Sequence, residues 1–445
     1  MRIIIIGAGE VGSSIAESLA DGHEVVLVDV DGDRVEALTY SIDVLAIEGD
    51  GTTMSVLEDA GIDEADLFIA STDIDEVNIV ACATAKTLGD PFTIARAKNT
   101  DLLRTWEHAP DAFGVEFMVS TDLLTAKAIV RIAGLPTARD VDSFADGAVQ
   151  MAEFPVPPDS PLSGQTVQEA DRFDELTFAA VLRDGKVTIP RGDTRIETGD
   201  QIVVIGVPGQ LHDFAENLEP ENGGDRASDI LIVGGGEIGY QAARLFEEGN
   251  LRPRLIERSP ERARKLAEEL PGTVVMQSDA TDVEFLAREH VDEVDLVVAA
   301  LNSDEKNLLV SLLAKRLGAG RAVAVVENPD YVDLFETVGI DVAVNPRKLT
   351  AEEITRFTRE QETEKVAIVE SDRAEVLEIE IDSDSVLAGR TIGEAVADLP
   401  TGMVVGAITR NGEYVIPRGD TVVDRGDHAI VFVDASIIDE VVRQL

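Results

Sequence analysis

An internal duplication constrains this chain more than any other feature of its sequence. Residues 3–12 read IIIIGAGEVG and residues 230–239 read ILIVGGGEIG, and the similarity continues through much of each half. The segment VTIPRGDTRIETGDQIVVIG at 187–206 also recurs, as YVIPRGDTVVDRGDHAIVFV at 414–433. A repeat of about 220 residues can hold more than one domain, so both halves are expected to share one domain plan.

The first part of each half alternates apolar strand-length runs with amphipathic helical stretches, a pattern typical of a parallel sheet wrapped by helices. After GLPTARD at 134–140 the β runs become shorter and an IPRGD turn appears. The predicted fold class is therefore α/β, with two Rossmann-like doubly wound parallel sheets, each followed by a small α+β module. In the first half, strands are expected near 2–6, 24–28, 44–47, 66–69, 92–95 and 115–118, and helices are expected to start near Val11, Arg34, Thr53, Ile74, Thr100 and Thr121.

Shifts in composition divide the chain into domains. The stretch LEPENGGDRAS at 218–228 is rich in turn-forming residues and predicts a hinge between the halves. The expected domains are a Rossmann lobe at 1–134, a module at 140–218, a linker at 219–228, a second Rossmann lobe at 229–358 and a second module at 366–445.

The charge of the chain narrows its function. The sequence holds 86 Asp and Glu against 38 Lys and Arg, a formal charge of −48, although 44% of its residues are hydrophobic. Such an acidic surface repels phosphate backbones and argues against nucleic-acid binding. Acids spread along the whole chain are expected of a halophile-type protein in a salt-rich cytoplasm, where salt screens their repulsion.

Other composition features predict a soluble cytoplasmic protein. No apolar run approaches the roughly 20 residues that a membrane helix needs. Met1 and Arg2 lead directly into a strand, so no secretory signal is expected. Cys82, the single cysteine, is predicted to be a small core residue, and no metal site is predicted.

The first glycine loop predicts a nucleotide site. Gly7, Gly9 and Gly12 form G-x-G-x-x-G between a strand and a helix, so a pyrophosphate can approach the backbone and the helix N-terminus. Asp29 ends the second strand, where an acid accepts hydrogen bonds from ribose hydroxyls and repels a 2′-phosphate. NAD(H) is therefore the expected ligand, ATP or ADP is the alternative, and NADP is excluded.

Further polar residues follow the later strands, where ligands sit in such sheets. Arg96 lies in an apolar run and is expected to contact phosphate, whereas Thr52, Asp73 and Asp279 have helix capping as an alternative role. The predicted ligand-binding residues of the first half are Gly7, Ala8, Gly9, Glu10, Val11, Gly12, Asp29, Asp50, Thr52, Ser71, Thr72, Asp73 and Arg96.

The second half repeats this set with differences. Val325 stands where the first half has Arg96, so a phosphate contact is missing and the second site is expected to be weaker. Arg258 follows Glu257, and Arg252 and Arg254 are close in sequence, so the pocket charge is expected to differ. The predicted residues are Gly234, Gly235, Gly236, Glu237, Ile238, Gly239, Glu257 and Asp279.

Catalytic residues are not apparent. A dehydrogenase needs an acid or base placed against the nicotinamide. None of the five histidines recurs in the other half or follows a strand of the Rossmann part. The sequence therefore predicts a protein that is not an enzyme and in which nucleotide occupancy changes conformation.

Together these motifs resemble the RCK (KTN) family, in particular its two-repeat regulators of Trk-type potassium uptake. The resemblance rests on IIIIGAGEVG with Asp29, EGDGTT, ASTDIDEVNIVAC, IARAKN and the paired IPRGDT modules, over nearly the whole chain. It implies lobes that bind NAD(H) or ATP/ADP, with 7–12 cradling the phosphates and Asp29 holding the ribose. It also implies a crossover helix at 121–136 that pairs lobes.

The resemblance further implies an assembly and a partner. Two-repeat chains would form a tetrameric ring that docks under a membrane K⁺-translocating subunit, on the inner face of the cell membrane, and gates it. Two alternatives stay open: an RCK-type regulator of another cation or solute transporter, and an NAD-dependent oxidoreductase. The sequence leaves the physiological nucleotide and the effector of the small modules undefined.

Overall fold

The fold was analysed in a computed structural model, which describes residues 1–445 except 21, 110–112, 136, 184–185, 219–226, 360–364, 370–373, 396–398 and 443. Most of the predicted linker 219–228 and residue 136 of the predicted crossover helix lie outside the described residues. The chain forms two compact units. The first unit contains Met1–Ile129, here called the first lobe, and Asp229–Thr355, the second lobe; the second unit contains Val130–Ser228, the first module, and Arg356–Leu445, the second module.

The first lobe is a six-stranded parallel sheet with the order β3-β2-β1-β4-β5-β6. Its last helix continues into the first module. The elements are β1 (Arg2–Ile6), α1 (Glu10–Ala20), β2 (Glu24–Asp29), α2 (Gly32–Ser41), β3 (Leu45–Glu48), α3 (Met54–Asp59), β4 (Leu67–Ala70), α4 (Asp75–Leu88), β5 (Phe92–Ala97), α5 (Thr100–His108), β6 (Phe117–Ser120) and α6 (Thr121–Gly134).

The first module is a five-stranded antiparallel sheet with the order β10-β9-β11-β8-β7 and two helices. Its elements are β7 (Asp140–Phe144), β8 (Val149–Pro155), α7 (Val167–Ala170), β9 (Leu176–Arg183), β10 (Lys186–Thr188), β11 (Gln201–Gly206) and α8 (Pro208–Leu218).

The second lobe repeats the first, with the parallel order β14-β13-β12-β15-β16-β17. Its elements are β12 (Ile230–Val233), α9 (Glu237–Glu248), β13 (Arg254–Glu257), α10 (Pro260–Glu269), β14 (Val274–Gln277), α11 (Val283–Arg288), β15 (Leu296–Ala299), α12 (Asp304–Leu317), β16 (Arg321–Val325), α13 (Val332–Thr337), β17 (Val342–Val344) and α14 (Pro346–Arg359).

The second module has a five-stranded antiparallel sheet, β18-β19-β24-β21-β22, and a separate pair β20-β23. Its elements are β18 (Lys365–Val369), β19 (Ala374–Glu380), β20 (Arg390–Thr391), α15 (Ile392–Ala395), β21 (Met403–Arg410), β22 (Glu413–Val415), β23 (Val422–Val423), β24 (His428–Asp434) and α16 (Ile438–Val442).

The parallel sheets form because their central strands are apolar on both faces. Residues 3–6 of β1 are at most 3% exposed, as expected for a strand covered by helices on both sides. The predicted strands of the first half lie within two residues of the observed ones. The predicted fold class is confirmed, and in both lobes the strand order reverses beside the strand that precedes the glycine loop, where such folds bind ligands.

Within the second unit the two modules share a core. Residues of both sheets, among them Phe144, Ile205 and Phe432, form one buried cluster. The backbone N–H of Ala145 also donates to Glu378 Oε2 at 3.0 Å across the modules. No helix in the described part of the chain has the length and apolar character needed to cross a bilayer.

Candidate functional site

The first glycine loop makes a tight turn between β1 and α1. Gly7 has φ +103°, in the region that favours glycine. A Cβ on Gly12 would lie 1.8 Å from the carbonyl oxygen of Gly7, so the helix can pack this closely only without a side chain there. A Cβ on Gly9 would have Arg34 Nη1 as its nearest neighbour, at 3.8 Å. The loop is therefore tightly packed at Gly12 but has free space at Gly9, which is the position where the backbone of such a loop approaches a phosphate.

Asp29 holds this loop in place. Its Oδ2 accepts a hydrogen bond from Ala8 N at 2.5 Å, and its Oδ1 accepts one from Asp31 N at 2.8 Å. Glu257 does the same in the second lobe, accepting from Gly235 N at 3.0 Å and Ser259 N at 2.6 Å. The two acids predicted to bind ribose thus also fix the shape of the phosphate loop, and a ribose contact would add to or replace these bonds.

A cavity of about 320 Å³ opens beside the first loop. Arg34, Val77 and Arg347 line it without having been predicted, and Ala8, Gly12 and Thr52 were predicted but are not part of its wall. The predicted residues that do line it are Gly7, Gly9, Glu10, Val11, Asp29, Asp50, Ser71, Thr72, Asp73 and Arg96.

Asp50 and Asp279 stabilise matching turns after the third strand of each lobe. Asp50 Oδ1 accepts from Thr52 N and Oγ1 at 2.9 and 2.7 Å, and Asp279 Oδ1 accepts from Thr281 at 3.0 and 2.7 Å. The hydrogen bonds from the threonines lower the pKa of both carboxyls.

The capping role considered for Thr52, Asp73 and Asp279 is wrong in detail. The N-cap residues of the following helices are Thr53, Ile74 and Asp282. The caps lie after Thr52 and Asp279 because Asp50 and Asp279 first form a turn with the residues that follow them. Asp73 instead pairs with Arg96 and Lys98.

Arg96 supplies a buried positive charge at the end of β5. It is 3% exposed, and its Nε donates to Thr121 Oγ1 at 3.1 Å. Its Nη1 donates to Asp73 Oδ1 at 3.2 Å, and Lys98 Nζ donates to the same oxygen at 3.0 Å. Burial would raise the pKa of Asp73, but these two cations together with Arg347 hold it below its ordinary value. An anionic ligand at this edge would meet cations that are already in position.

Asn78, which was not predicted, joins two strand ends below the cavity. It is fully buried; its Nδ2 donates to Thr72 O and Arg96 O at 3.0 and 2.9 Å, and its Oδ1 accepts from Thr72 N at 2.9 Å. Asn307 makes the equivalent bonds to Leu301 and Val325 in the second lobe. A sequence signal existed, since an asparagine recurs in DEVN and DEKN of the two halves.

The second loop has the same backbone. Gly234 has φ +111°, and a Cβ on Gly239 would lie 1.9 Å from its carbonyl oxygen. A Cβ on Gly236 would have Asn302 Oδ1 at 3.6 Å as its nearest neighbour, so this loop too is open at its second glycine. Glu237 begins α9 and is followed by Ile238. Its Oε1 accepts from Thr100 Oγ1 of the first lobe at 2.5 Å.

Arginine side chains cross the second site. Arg262 Nε donates to Gly235 O at 2.8 Å, whereas the matching Arg34 lines the first cavity. Arg258 Nη1 lies 3.8 Å from Asp279, and the matching Val30 leaves the first site open. The expectation that Arg254 adds to the pocket charge is wrong, because it starts β13 and binds Asp229 at the other end of the strand.

Arg347 reaches the first cavity from the second lobe. It lies in the first turn of α14, lines the cavity and makes an ion pair with Glu10. No motif marks it in the sequence. Thr350 Oγ1 on the same helix donates to Thr121 Oγ1 at 3.0 Å, so α6 and α14 contact each other where the lobes meet.

The recurring RGD segments have a structural role in the modules. The carbonyl oxygens of Gly192 and Gly419 in the IPRGD turns accept from Gln168 N and Gly393 N of the short helices α7 and α15. Asp200 and Asp427 belong to the second GD of each repeated segment. Each forms a bidentate pair with an arginine: Asp200 with Arg183, at 2.7 and 2.8 Å, and Asp427 with Arg410, at 2.8 and 2.7 Å. Among the described residues, no group of three His, Cys, Asp or Glu side chains is placed to hold a metal ion.

Comparison with known families matches both repeats. The TrkA-N domain model matches residues 3–116 and 230–346, which are the lobes. The TrkA-C domain model matches 151–219 and 376–445, which lie in the modules.

Full-length relatives and solved structures agree with this match. The Trk system potassium uptake protein TrkA homolog 1 of Methanosarcina mazei is 38% identical over 451 residues, covering 99% of both chains. The TrkA protein of Halomonas elongata is 35% identical and covers 97% of this chain and 96% of its own. The GsuK RCK domain aligns with a TM-score of 0.60 at 23% identity over 99% of this chain and 95% of its own, and the GsuK channel bound to NAD with 0.59 at 23% identity over 99% and 79%. Because both domain models match twice and relatives above 30% identity span nearly the whole chain, this protein belongs to the TrkA family of Trk system potassium uptake proteins.

Proposed function

We propose that this chain is the cytosolic nucleotide-sensing regulatory subunit of a Trk-type potassium uptake system. It binds NAD(H) or ATP/ADP in its Rossmann lobes and thereby gates a membrane K⁺-translocating subunit. The observation that carries the proposal is the open cavity between the first glycine loop, Asp29 and the buried Arg96, in a chain of the TrkA family.

The cavity wall favours an adenine dinucleotide or nucleotide without a 2′-phosphate. Asp29 lies at the end of β2, where it would accept from ribose hydroxyls and repel a phosphate. Arg34 and Arg96 supply two cations for the diphosphate that NAD(H), ADP and ATP all contain. NAD(H) is our first choice, since a channel with this fold has been solved bound to NAD.

The proposal contains no catalytic step. Among the described residues, the cavity wall includes no histidine, cysteine or lysine, and each of its four acids, Glu10, Asp29, Asp50 and Asp73, already has a partner within the chain. Ligand binding would instead change the equilibrium between conformations, to the extent that the ligand prefers one of them.

The proposed assembly is the one that the resemblance to the RCK family implies. We propose a tetramer of two-repeat chains that binds on the inner face of the cell membrane through its K⁺-translocating partner. The lobes of one chain already contact each other through α6 and α14, which is the pairing role expected of the crossover helix.

Calorimetric titration tests the nucleotide sites. NADH, NAD⁺, ATP and ADP would be titrated into the full chain in molar KCl, with Asp29→Ala and the matched Glu257→Ala as variants. We expect saturable binding without turnover, lost at the first site in Asp29→Ala. A wild-type chain that binds none of the four would overturn nucleotide sensing, and hydride transfer to a substrate would favour an oxidoreductase.

A transport assay tests the partner. The chain would be produced with and without a Trk-type membrane subunit from the same genome, in a host that lacks K⁺ uptake. We expect K⁺ uptake to depend on both proteins and to change in Asp29→Ala. K⁺ uptake that is the same with and without this chain would contradict the gating role and favour another transporter as its partner.

A further inference from the structure

The first cavity has a wall that belongs to the other half of the chain. Arg347 is the second residue of α14, and its Nη1 forms an ion pair with Glu10, the first residue of α1. Its Nε lies 3.6 Å from Glu327 and makes no hydrogen bond within the described residues. Its side chain is 30% exposed, so the guanidinium lies where a ligand in the cavity could reach it.

We propose that Arg347 is a ligand-binding residue of the first pocket, which contacts the nucleotide diphosphate from the second lobe in competition with Glu10. This inference rests on the proposed nucleotide-sensing function and adds a residue that the glycine-loop pattern does not contain. The first pocket is then a composite site, complete only when the two lobes are together.

Charge explains why such a contact is needed. Glu10 is the first residue of α1, and the N-terminus of this helix would face the diphosphate. The carboxylate of Glu10 would therefore repel the diphosphate. Arg347 neutralises Glu10 in the structure and has further N–H donors, since a guanidinium carries five. A diphosphate offers several charged oxygen acceptors, and the planar guanidinium of arginine can donate to two of them at once.

The equivalent position in the second pocket carries the opposite charge. When β6 and α6 are aligned with β17 and α14, Asp122 of the first repeat is equivalent to Arg347 of the second. Burial, with added repulsion from Glu237 and Glu327, raises the pKa of Asp122 to about 6. An acid near Glu237, the first residue of α9, therefore stands at the position that matches the arginine paired with Glu10.

Other positions change in the same direction. Arg96 is matched by Val325, and Lys98 is matched by Glu327. Each exchange removes a positive charge from the strand end of the second lobe or replaces it with a negative one. Diphosphate binding is thus expected to pull on the contact between the lobes at the first pocket and not at the second.

The test compares ligands with and without a diphosphate. ADP and NAD⁺ would be titrated into the full chain, and adenosine would be measured by its displacement of ADP. The variants are Arg347→Gln, Arg347→Lys and a control, Lys348→Gln, which removes the same charge one residue further along α14 at a side chain that is not part of the cavity wall. Thermal unfolding of each variant would check that it is folded.

We expect Arg347→Gln to weaken ADP and NAD⁺ binding about tenfold or more, the loss typical of a hydrogen bond to a charged group. Arg347→Lys should lose less, because it keeps the charge, and Lys348→Gln should bind as wild type does. Adenosine binding should not change. Glu10→Gln should tighten ADP binding when Arg347 is present, because it frees Arg347 for the ligand. It should tighten binding less in the Arg347→Gln background.

Two results would overturn the inference while leaving the proposed function intact. One is a wild-type chain that binds ADP or NAD⁺ while Arg347→Gln binds both equally well. The other is an Arg347→Gln chain that loses ADP and adenosine to the same extent, because that loss would mean a distorted site and not a missing phosphate contact. If the wild type binds none of the ligands, the proposed function fails and the inference fails with it.

Discussion

Two glycines of one loop provide a sharp test of the first site, because the structure gives them different reasons for lacking a side chain. In Gly12→Ala the new Cβ would lie 1.8 Å from Gly7 O, so the gap must widen to at least 3.0 Å by moving α1 away from the loop. Overpacking of this kind costs about 1–3 kcal/mol or more. The better helix propensity of alanine returns at most about 1 kcal/mol. We therefore expect Gly12→Ala to destabilise the first lobe by about 2 kcal/mol.

Gly9→Ala has almost no such cost. Its Cβ would meet nothing closer than Arg34 Nη1 at 3.8 Å, which is an ordinary contact. The added methyl group would instead occupy the surface that a pyrophosphate approaches. We expect the same stability as wild type but weaker binding of NAD⁺ and ADP.

Thermal unfolding and calorimetric titration of both variants separate the two effects. A loss of about 2 kcal/mol lowers the midpoint of a domain of this size by about 4–8 °C. Gly236→Ala and Gly239→Ala repeat the comparison in the second lobe, where the corresponding distances are 3.6 and 1.9 Å. Gly12→Ala with a wild-type midpoint would refute the packing argument, and Gly9→Ala with wild-type affinity would refute the direction of ligand approach.

Other predictions follow from single side chains. Burial and neighbouring acids raise the pKa of Asp122 in the folded chain from 3.8 to about 6, so its ionisation lowers stability as pH rises through that window. Asp122→Asn should therefore be up to about 3 kcal/mol more stable than wild type above about pH 6 and should lose this advantage in acid. Melting curves measured across pH would record the difference. Asn78→Ala should cost about 2 kcal/mol or more by leaving the buried backbone groups at two strand ends unpaired, as measured by urea unfolding. Asp200→Asn should lower the unfolding midpoint of the first module, because it breaks the bidentate pair with Arg183, and an unchanged midpoint would contradict this. Cys82 is fully buried and burial raises its thiol pKa, so a thiol reagent should modify it only after unfolding.

The sequence predicted the lobes well because their signals are local. Parallel strands buried on both faces appear as continuous apolar runs such as residues 3–6, and a glycine loop must follow them at fixed spacing. The duplication then allowed each assignment to be checked in the other half. Turn details were less accessible: Thr52 and Asp279 were considered as caps, yet the helices begin at later residues because the aspartates first close a turn.

Contacts between the lobes could not be predicted in this way. Arg347 is 337 residues from its partner Glu10, and neither periodicity nor motif spacing relates two such positions. The contact of Arg262 could not be predicted either. Its sequence environment matches that of Arg34, but its side chain donates to Gly235 O, whereas Arg34 lines a cavity. Side-chain direction depends on the space left by neighbours that are distant in sequence, and local patterns and motif spacing do not give that space.

The fusion of two copies into one chain gives a physical reason for these differences. In a pair of identical lobes related by a two-fold axis, any residue that faces the neighbouring pocket must appear in both pockets with the same charge. Here the matching positions carry Arg347 and Asp122, and Lys98 is matched by Glu327. A single chain that holds both copies can carry arginine at one of these positions and aspartate at the other, which two identical subunits cannot. The duplication therefore permits the two lobes to differ in charge at their interface, and under the proposed function a nucleotide in the first pocket would act on a contact that the second lobe lacks.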